Sequence, residues 1–170
     1  TDIDVSIGKL VCLAQTYKKH AEEMKSKTYK EPLLFLKPAS SVIFDGESII
    51  IPDISNCIHH EVELGVIISK NCKNVKESDA LKYVLGYCLA LDITARDIQT
   101  IAKKKGRPWG IAKGFDTFAP LSNVVLQKEI QNPNDLDLLL EVNGKLRQKS
   151  NTKNMIFTVE KIIEFISKIM

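Results

Sequence analysis

The apolar residues of this chain occur in short runs, and this spacing restricts the fold that the chain can adopt. Runs such as 49–51 and 65–68 have the length of β-strands and are separated by glycine, proline and asparagine turn signals. No run approaches the roughly 20 apolar residues that a membrane-spanning helix needs. Many strands with a few interspersed helices predict an α+β fold with mixed or antiparallel sheets.

Length, charge and cysteine spacing restrict the class of protein. The chain has 170 residues, which predicts one domain over 1–170. Its net charge of +3 is too small to indicate a nucleic-acid partner, and no nucleic-acid motif accompanies the basic run 103–105. We expect no membrane partner either. The cysteines form no C-x-x-C pair, which predicts reduced, mostly buried thiols in an intracellular protein, at Cys12, Cys57, Cys72 and Cys88.

Turn and cap signals predict the local elements. Strands are expected over 10–13, 33–36, 60–69 and 85–93, and helices over about 16–25 and 77–84. Asp45-Gly46 and Asn143-Gly144 each predict a β-hairpin. Thr94 and Thr158 are expected to cap the helices that follow them. The last helix reaches Met170 without a C-cap, so we expect more chain in the full-length protein.

The segment 59–65, His-His-Glu-Val-Glu-Leu-Gly, carries two carboxylates on one strand face. Residues two apart in a strand point the same way, so Glu61 and Glu63 project together. One interpretation is a solvent-facing stripe. Another is half of a site for a hard divalent cation, which prefers carboxylate oxygen. Zinc held by His59, Glu61 and Glu63 is a less favoured alternative, because no thiolate supports it.

Asp92 stands in an otherwise apolar strand, 89–93. A buried carboxylate is unfavourable without a partner or a metal, although it can also accept backbone hydrogen bonds at a strand end. With Glu61 and Glu63 it makes three oxygen ligands from two strands. Such a set suits Mg²⁺, which usually keeps several waters.

Five further residues have both a chemical and a plainer interpretation. Arg96 and Gln99 open a helix, and Arg96 also suits recognition of an anion beside a metal. Lys113 lies in a glycine- and aromatic-containing segment that would present it, although most lysines are simply solvated. His20 and Glu23 are either a base with its orienting carboxylate or part of a solvated helix face.

Taken together, these motifs resemble the fumarylacetoacetate hydrolase family, especially its small acylpyruvase-like members. The likeness runs from about Lys9 to Met170 and rests on several motifs in the same order. They are Phe35-Leu36-Lys37-Pro38, the segment 59–65, 91–97 with Gln99, 103–106 with Pro108-Trp109, Ala112-Lys113 and Phe115, Val142-Asn143-Gly144 with Arg147-Gln148, and Met155-Ile156-Phe157.

The resemblance implies a mixed β-roll with a few peripheral helices, assembled as a homodimer. It implies Mg²⁺ or Mn²⁺, with Ca²⁺ as a further option, on the three ligands Glu61, Glu63 and Asp92. It places Arg96, Gln99 and Lys113 around a small keto-acid substrate. It also makes His20 and Glu23 a catalytic pair on a mobile lid helix, with Lys113 as a third catalytic group.

The implied reaction is hydrolysis of a carbon–carbon bond in an acylpyruvate or related β-diketo acid, which releases pyruvate. Oxaloacetate decarboxylation or tautomerisation on the same metal is the alternative. A third possibility is a degenerate, non-catalytic member, because two family features are missing. Ala14-Gln15-Thr16-Tyr17 replaces the usual G-R-N-Y, and the C-terminal strands and closing loop of the family do not occur within 1–170. The expected compartment is the cytoplasm or the mitochondrion.

Overall fold

Short β-strands predominate in the computed structural model, which describes residues 6–17 and 30–170. The strands are β1 (Leu10–Ala14), β2 (Leu33–Lys37), β3 (Val42–Phe44), β4 (Ile58–His59), β5 (Val62–Ile68), β6 (Val84–Leu91), β7 (Thr94–Ala95), β8 (Ala119–Leu121), β9 (Val125–Leu126), β10 (Asp137–Val142) and β11 (Lys145–Asn151). The α-helices are α1 (Arg96–Lys104), α2 (Gly110–Lys113) and α3 (Val159–Ser167), and the 3₁₀ helices are Ala39–Ser41, Glu77–Tyr83, Gln127–Glu129 and Thr152–Asn154.

The described residues divide into two units. The first contains residues 6–12, 34–65 and 89–124, and the second contains the remaining described residues. The expectation of one domain over the whole chain stays a prediction.

Parallel and antiparallel strand pairs occur side by side. In the first unit β8 pairs with β3 in parallel and with β6 in antiparallel orientation, and β4 pairs with β7 in antiparallel orientation. The division falls within β6, whose residues 84–88 belong to the second unit. There β9 pairs with this part of β6, and β10 pairs with β11, both in antiparallel orientation. This mixture with few helices confirms the α+β fold.

The first unit has a small apolar core beside the end of β6. Ile93, Ala95 and Phe118 are almost fully buried, and they pack against partly buried apolar side chains at Ile49, Ile58, Leu91, Ile98 and Phe115. Burial of this apolar surface stabilises the segment that joins β6, β7 and α1. That segment also carries Asp92 and Arg96, two of the charged residues described below.

The two Gly-containing turns differ. At Asn143-Gly144 both residues have positive φ, 53° and 71°, and β10 returns directly as β11, so this predicted hairpin is confirmed. The hairpin predicted at Asp45-Gly46 is wrong. There only Gly46 has positive φ, 88°, as in a type II turn, whose twist splays strands apart. Residues 47–51 form no strand, and β3 pairs with β8 instead.

The two predicted threonine caps also differ. The Thr158 side chain accepts a hydrogen bond from Lys161 N at 3.2 Å and caps α3, as predicted. The predicted cap at Thr94 is wrong, because Thr94 lies in β7 and its hydroxyl contacts other groups. Most of the helix predicted over 16–25 lies outside the described residues. No helix in the described part of the chain is long and apolar enough to cross a membrane.

Candidate metal and anion site

Charged side chains collect where β5 begins and β6 ends. The backbone N–H of Asp92 donates to Glu61 O at 2.8 Å, which places these two acidic residues side by side. Carboxylate oxygens of Glu61, Glu63 and Asp92 all lie within 4.8 Å of one another. Asp92 is 6 % exposed and the two glutamates are partly buried, which does not fit a solvent-facing stripe.

Lys113 lies at the end of α2 and contacts two of the three carboxylates. Its ammonium donates to Glu61 Oε2 at 3.1 Å, to Asp92 Oδ2, and to Thr94 Oγ1 at 2.7 Å. The residue is 3 % exposed. The next residue has to be glycine, because a Cβ on Gly114 would lie 2.8 Å from Gly110 O. This close approach sets the position from which the lysine reaches the carboxylates.

Arg96 opens α1 and is held by three partners. Its guanidinium forms an ion pair with Glu61, donates to Gln99 Oε1 at 2.6 Å, and approaches His59 Nδ1 at 3.4 Å. Gln99 is 3 % exposed, so its amide fixes the guanidinium from the buried side. The five donors of an arginine leave further N–H groups for an anion.

Lys37 is a member of the cluster to which the sequence analysis assigned no role. Its ammonium lies 3.0 Å from Asp92 Oδ1, and the residue is 2 % exposed. Thr94 was also missed as a cluster member. A usable signal exists in the sequence, because Lys37 and Asp92 are opposite charges that each stand at or just beyond the end of an apolar strand. Such residues are rarely buried without a partner.

The two glutamates have pKa values shifted in opposite directions. Burial opposes ionisation of Glu61, but the charges of Lys113 and Arg96 outweigh it and lower its pKa. Burial, followed by the charges of Asp92 and Glu61, raises the pKa of Glu63 to about 8. Glu63 is therefore largely protonated near neutral pH, and a cation that binds there has to displace its proton.

The donor set fits a hard divalent cation. All three groups offer carboxylate oxygen, which Mg²⁺, Mn²⁺ and Ca²⁺ prefer. Within the described residues, the buried Asp92 Oδ1 accepts no hydrogen bond, although the Lys37 charge lies nearby. An orphaned buried carboxylate oxygen of this kind has a lone pair that a cation can use.

Several predicted residues lie elsewhere or outside the described residues. His20 and Glu23 belong to the undescribed segment 18–29. His59 is exposed and contacts Arg96, and the group of converging acidic ligands found in the described ranges does not include it, which disfavours the zinc alternative. Cys12 is a free thiol, and burial, followed by the charges of Asp92 and Glu63, raises its pKa to about 12.

Comparison with known proteins gives one consistent family. Residues 9–170 match the fumarylacetoacetate (FAA) hydrolase C-terminal family model. The mitochondrial oxaloacetate tautomerase FAHD1 of Arabidopsis thaliana is 46% identical over 162 residues, which are 95% of this chain and 73% of that protein. The human oxaloacetate tautomerase FAHD1 is 45% identical over 161 residues, again 95% and 73%.

A solved structure agrees with these relatives. The fumarylpyruvate hydrolase of Pseudomonas aeruginosa, crystallised in complex with Mn²⁺ and pyruvate, superposes with a TM-score of 0.92 at 30% identity. The match covers 100% of this chain and 75% of that one. The resemblance inferred from the motifs is confirmed, and the chain belongs to the fumarylacetoacetate hydrolase family.

Proposed function

We propose that this protein is a divalent-cation-dependent enzyme that interconverts the keto and enol forms of a short 2-keto acid such as oxaloacetate. The observation that carries the proposal is the convergence of three carboxylate groups beside the Lys113 ammonium. The tautomerase relatives, at 46% and 45% identity, support this reaction over the others.

The residues that would hold the metal are Glu61, Glu63 and Asp92. Mg²⁺ or Mn²⁺ is the proposed ion, with Ca²⁺ as a further option. The Mn²⁺ in the Pseudomonas aeruginosa relative supports this assignment. When bound, such a cation polarises the keto oxygen and neighbouring carboxylate of a 2-keto acid and makes the C3 proton more acidic.

Arg96 and Lys113 would bind and stabilise the substrate anion. Arg96, already oriented by Glu61 and Gln99, offers its remaining N–H groups to a substrate carboxylate. Lys113 carries three N–H groups within reach of one small volume, and one of them can turn to a substrate oxygen. Negative charge that develops on the keto oxygen as the C3 proton leaves is thereby stabilised. Gln99 would line the substrate site and keep Arg96 in place.

His20 and Glu23 stay a predicted catalytic pair. In tautomerisation His20 would take the proton from C3 and deliver it to the keto oxygen, or the reverse, with Glu23 orienting the imidazole. In the second candidate function, hydrolysis of an acylpyruvate, His20 would instead activate a water molecule that attacks the distal carbonyl. The carbon–carbon bond would then break, the acyl group would leave as a carboxylic acid, and the pyruvate enolate would take up a proton to give pyruvate. The similarity of this chain to a fumarylpyruvate hydrolase structure supports hydrolysis as the second candidate.

Assembly and compartment also stay predictions. A homodimer would cover some of the large apolar side chains that the first unit exposes, such as Phe44, Ile51 and Ile111. Light scattering of the full-length protein tests this expectation. A mitochondrial location agrees with the names of the FAHD1 relatives, a cytoplasmic one is the alternative, and fractionation distinguishes the two.

The test of function is an activity assay with and without metal. The full-length protein is treated with a chelator, and loss of the ultraviolet absorbance of enol-oxaloacetate is followed after addition of Mg²⁺ or Mn²⁺. We expect activity only with metal, and Glu61→Gln should reduce it by about 10²-fold or more. Glu129→Gln, the same change at an exposed residue of the second unit, is the control.

Two results would contradict the proposal. Full activity in the chelated protein would exclude metal dependence. No acceleration of oxaloacetate tautomerisation in the metal-loaded protein would exclude the leading reaction. Cleavage of an acylpyruvate in parallel assays would then identify hydrolysis, and inactivity on both substrates would favour the degenerate family member.

A further inference from the structure

The proposed mechanism leaves one buried charge without a role, the ammonium of Lys37. Lys37 ends β2 and is followed by Pro38. It is 2 % exposed, which is unusual for a lysine in any position. A burial this complete is tolerated only if the charge is compensated and its donors are satisfied.

All three N–H groups of the ammonium have main-chain acceptors. Lys37 Nζ donates to Ile93 O at 3.0 Å, to Lys113 O at 2.6 Å and to Phe118 O at 2.8 Å. These carbonyls belong to three segments, namely the connection between β6 and β7, the end of α2 and the turn before β8. One side chain therefore ties together the backbone segments that carry Asp92 and Lys113.

The charge of Lys37 has a separate partner in Asp92. Nζ lies 3.0 Å from Asp92 Oδ1, while Lys113 holds Oδ2 of the same carboxylate. The backbone N–H of Asp92 is bound by Glu61 O. Asp92 is consequently held at three points, and Lys37 supplies the contact at Oδ1.

We propose that Lys37 is a positioning residue that fixes the Asp92 carboxylate and the Lys113 main chain, so that the carboxylate cluster is formed before a metal enters. Its role in metal binding rests on the proposed function. Its coupling to Asp92 does not, and the two can be tested separately.

The first experiment measures Mn²⁺ affinity, which a role in folding alone would leave unchanged. Lys37→Met keeps the length and apolar stem of the side chain and removes the ammonium. Titration of the full-length protein, followed by the electron paramagnetic resonance of free Mn²⁺ well below the melting temperature, should show Kd raised about 10- to 100-fold. An unchanged Kd in a folded Lys37→Met protein would overturn the positioning role.

The matched control is Thr152→Val in the second unit. Thr152 is also fully buried, and its hydroxyl ties Leu136 N and Pro133 O. This change should lower the melting temperature while the Mn²⁺ Kd stays within about twofold of the wild-type value. An equal loss of Mn²⁺ affinity in Thr152→Val would show that the loss in Lys37→Met reflects general destabilisation, and the inference would fall.

The second experiment measures coupling to Asp92 through metal-free thermal unfolding. We expect Lys37→Met to lower the melting temperature by at least twice as much in the wild-type background as in Asp92→Asn. Equal shifts would show that Lys37 acts through the carbonyls alone and would overturn the inference. If Lys37→Met does not fold, a folded Lys37→Met/Asp92→Asn double variant supports the coupling, and an unfolded one contradicts it.

The two proposals fail in different ways. Wild-type protein that binds no Mn²⁺ would overturn the proposed function, while the unfolding cycle would still decide whether Lys37 positions Asp92. If the wild-type protein binds Mn²⁺ and Lys37→Met binds it with the same Kd, only the inference about Lys37 is overturned.

Discussion

Two regions of the molecule use the same charged residue types in opposite ways. In the carboxylate cluster of the first unit, the side chains of the Lys37–Asp92 and Lys113–Asp92 pairs are 1 % to 6 % exposed. On α3 in the second unit, Glu164 pairs with Lys161 and Lys168 at spacings of three and four residues, and both lysines are about half exposed. One region is built from distant parts of the chain and the other from a single helix.

The difference concerns what happens when one partner is removed. In the cluster, loss of a carboxylate leaves buried ammonium groups that water cannot reach, which is strongly unfavourable. On α3 each lysine already contacts solvent, so water and salt replace a lost partner. The cluster should therefore be sensitive to every isosteric change, and the α3 surface to almost none.

The largest effect is expected for Asp92→Asn. This change removes the partner of two buried ammonium groups, so the free energy of unfolding in urea should fall by about 3–5 kcal/mol. Mn²⁺ binding and turnover should be lost as well. Asp79→Asn, which breaks the exposed ion pair with Lys82, is the control and should unfold like the wild type. Equal stability of the two variants would abolish the contrast between the regions.

Lys113→Met should come second, with an effect on turnover. Lys113 is the cluster cation that we propose stabilises charge on a substrate oxygen, so kcat should fall by about 10²–10³-fold with a smaller change in KM. Lys128→Met, at an exposed residue of the second unit, should leave both constants unchanged. A rise in KM with kcat intact would show that Lys113 only binds substrate.

The pH dependence of metal binding should be the third effect. Because the pKa of Glu63 is raised to about 8, the group is mostly protonated at neutral pH, and a metal has to displace that proton. Affinity for Mn²⁺, measured calorimetrically, should rise by about tenfold per pH unit from pH 6 to 8 and level off above. A flat profile in the wild type would contradict the raised pKa, and Glu63→Gln should lose the slope.

The same pKa predicts the sign of a stability change in the metal-free protein. The folded pKa of Glu63, about 8, exceeds the ordinary value of 4.5, so between these values the folded state binds more protons than the unfolded state. Stability should therefore fall as pH rises, by at most about 1.4 kcal/mol per pH unit. Glu63→Gln should flatten the curve, and an unchanged slope in that variant would assign the effect to another group.

The smallest effect is expected for Glu164→Gln on α3. This change breaks the pairs with Lys161 and Lys168, yet both lysines stay solvated. The melting temperature should change only within experimental error, at low and at high salt. A loss comparable to that of Asp92→Asn would show that exposure does not separate the two regions.

The turns show how far local sequence predicts structure. Asn143-Gly144 forms the expected hairpin because both residues adopt positive φ. Asp45-Gly46 has nearly the same signal but forms a different turn. The strand before it, β3, pairs with β8, in which the partner of Val42 is Ala119, 77 residues later in the chain. The dipeptide predicts a turn, whereas the pairing partner depends on the rest of the sheet.

The cluster itself was predicted in part. Glu61, Glu63 and Asp92 were expected to gather, and their oxygens do so. Lys37 was missed because its strand-end signal does not identify a partner in a distant part of the chain, and Thr94 because its contact with Lys113 spans 19 residues. Thr94 even carries a cap signal, but its hydroxyl donates to Asp92 O and accepts from Lys113. A tertiary contact here prevailed over a local preference.

The sequence by itself determined the local features of this protein, namely the strand lengths, the Asn143-Gly144 hairpin, the Thr158 cap and the ion pairs along α3. Each depends on backbone preferences and contacts within a few residues. Only the tertiary structure decided that Lys113 meets Glu61 across 52 residues, and that the Lys37 ammonium reaches carbonyls 56, 76 and 81 residues away. Such contacts form when burial of the apolar core brings the segments together, because only then does a charge removed from water require a specific partner.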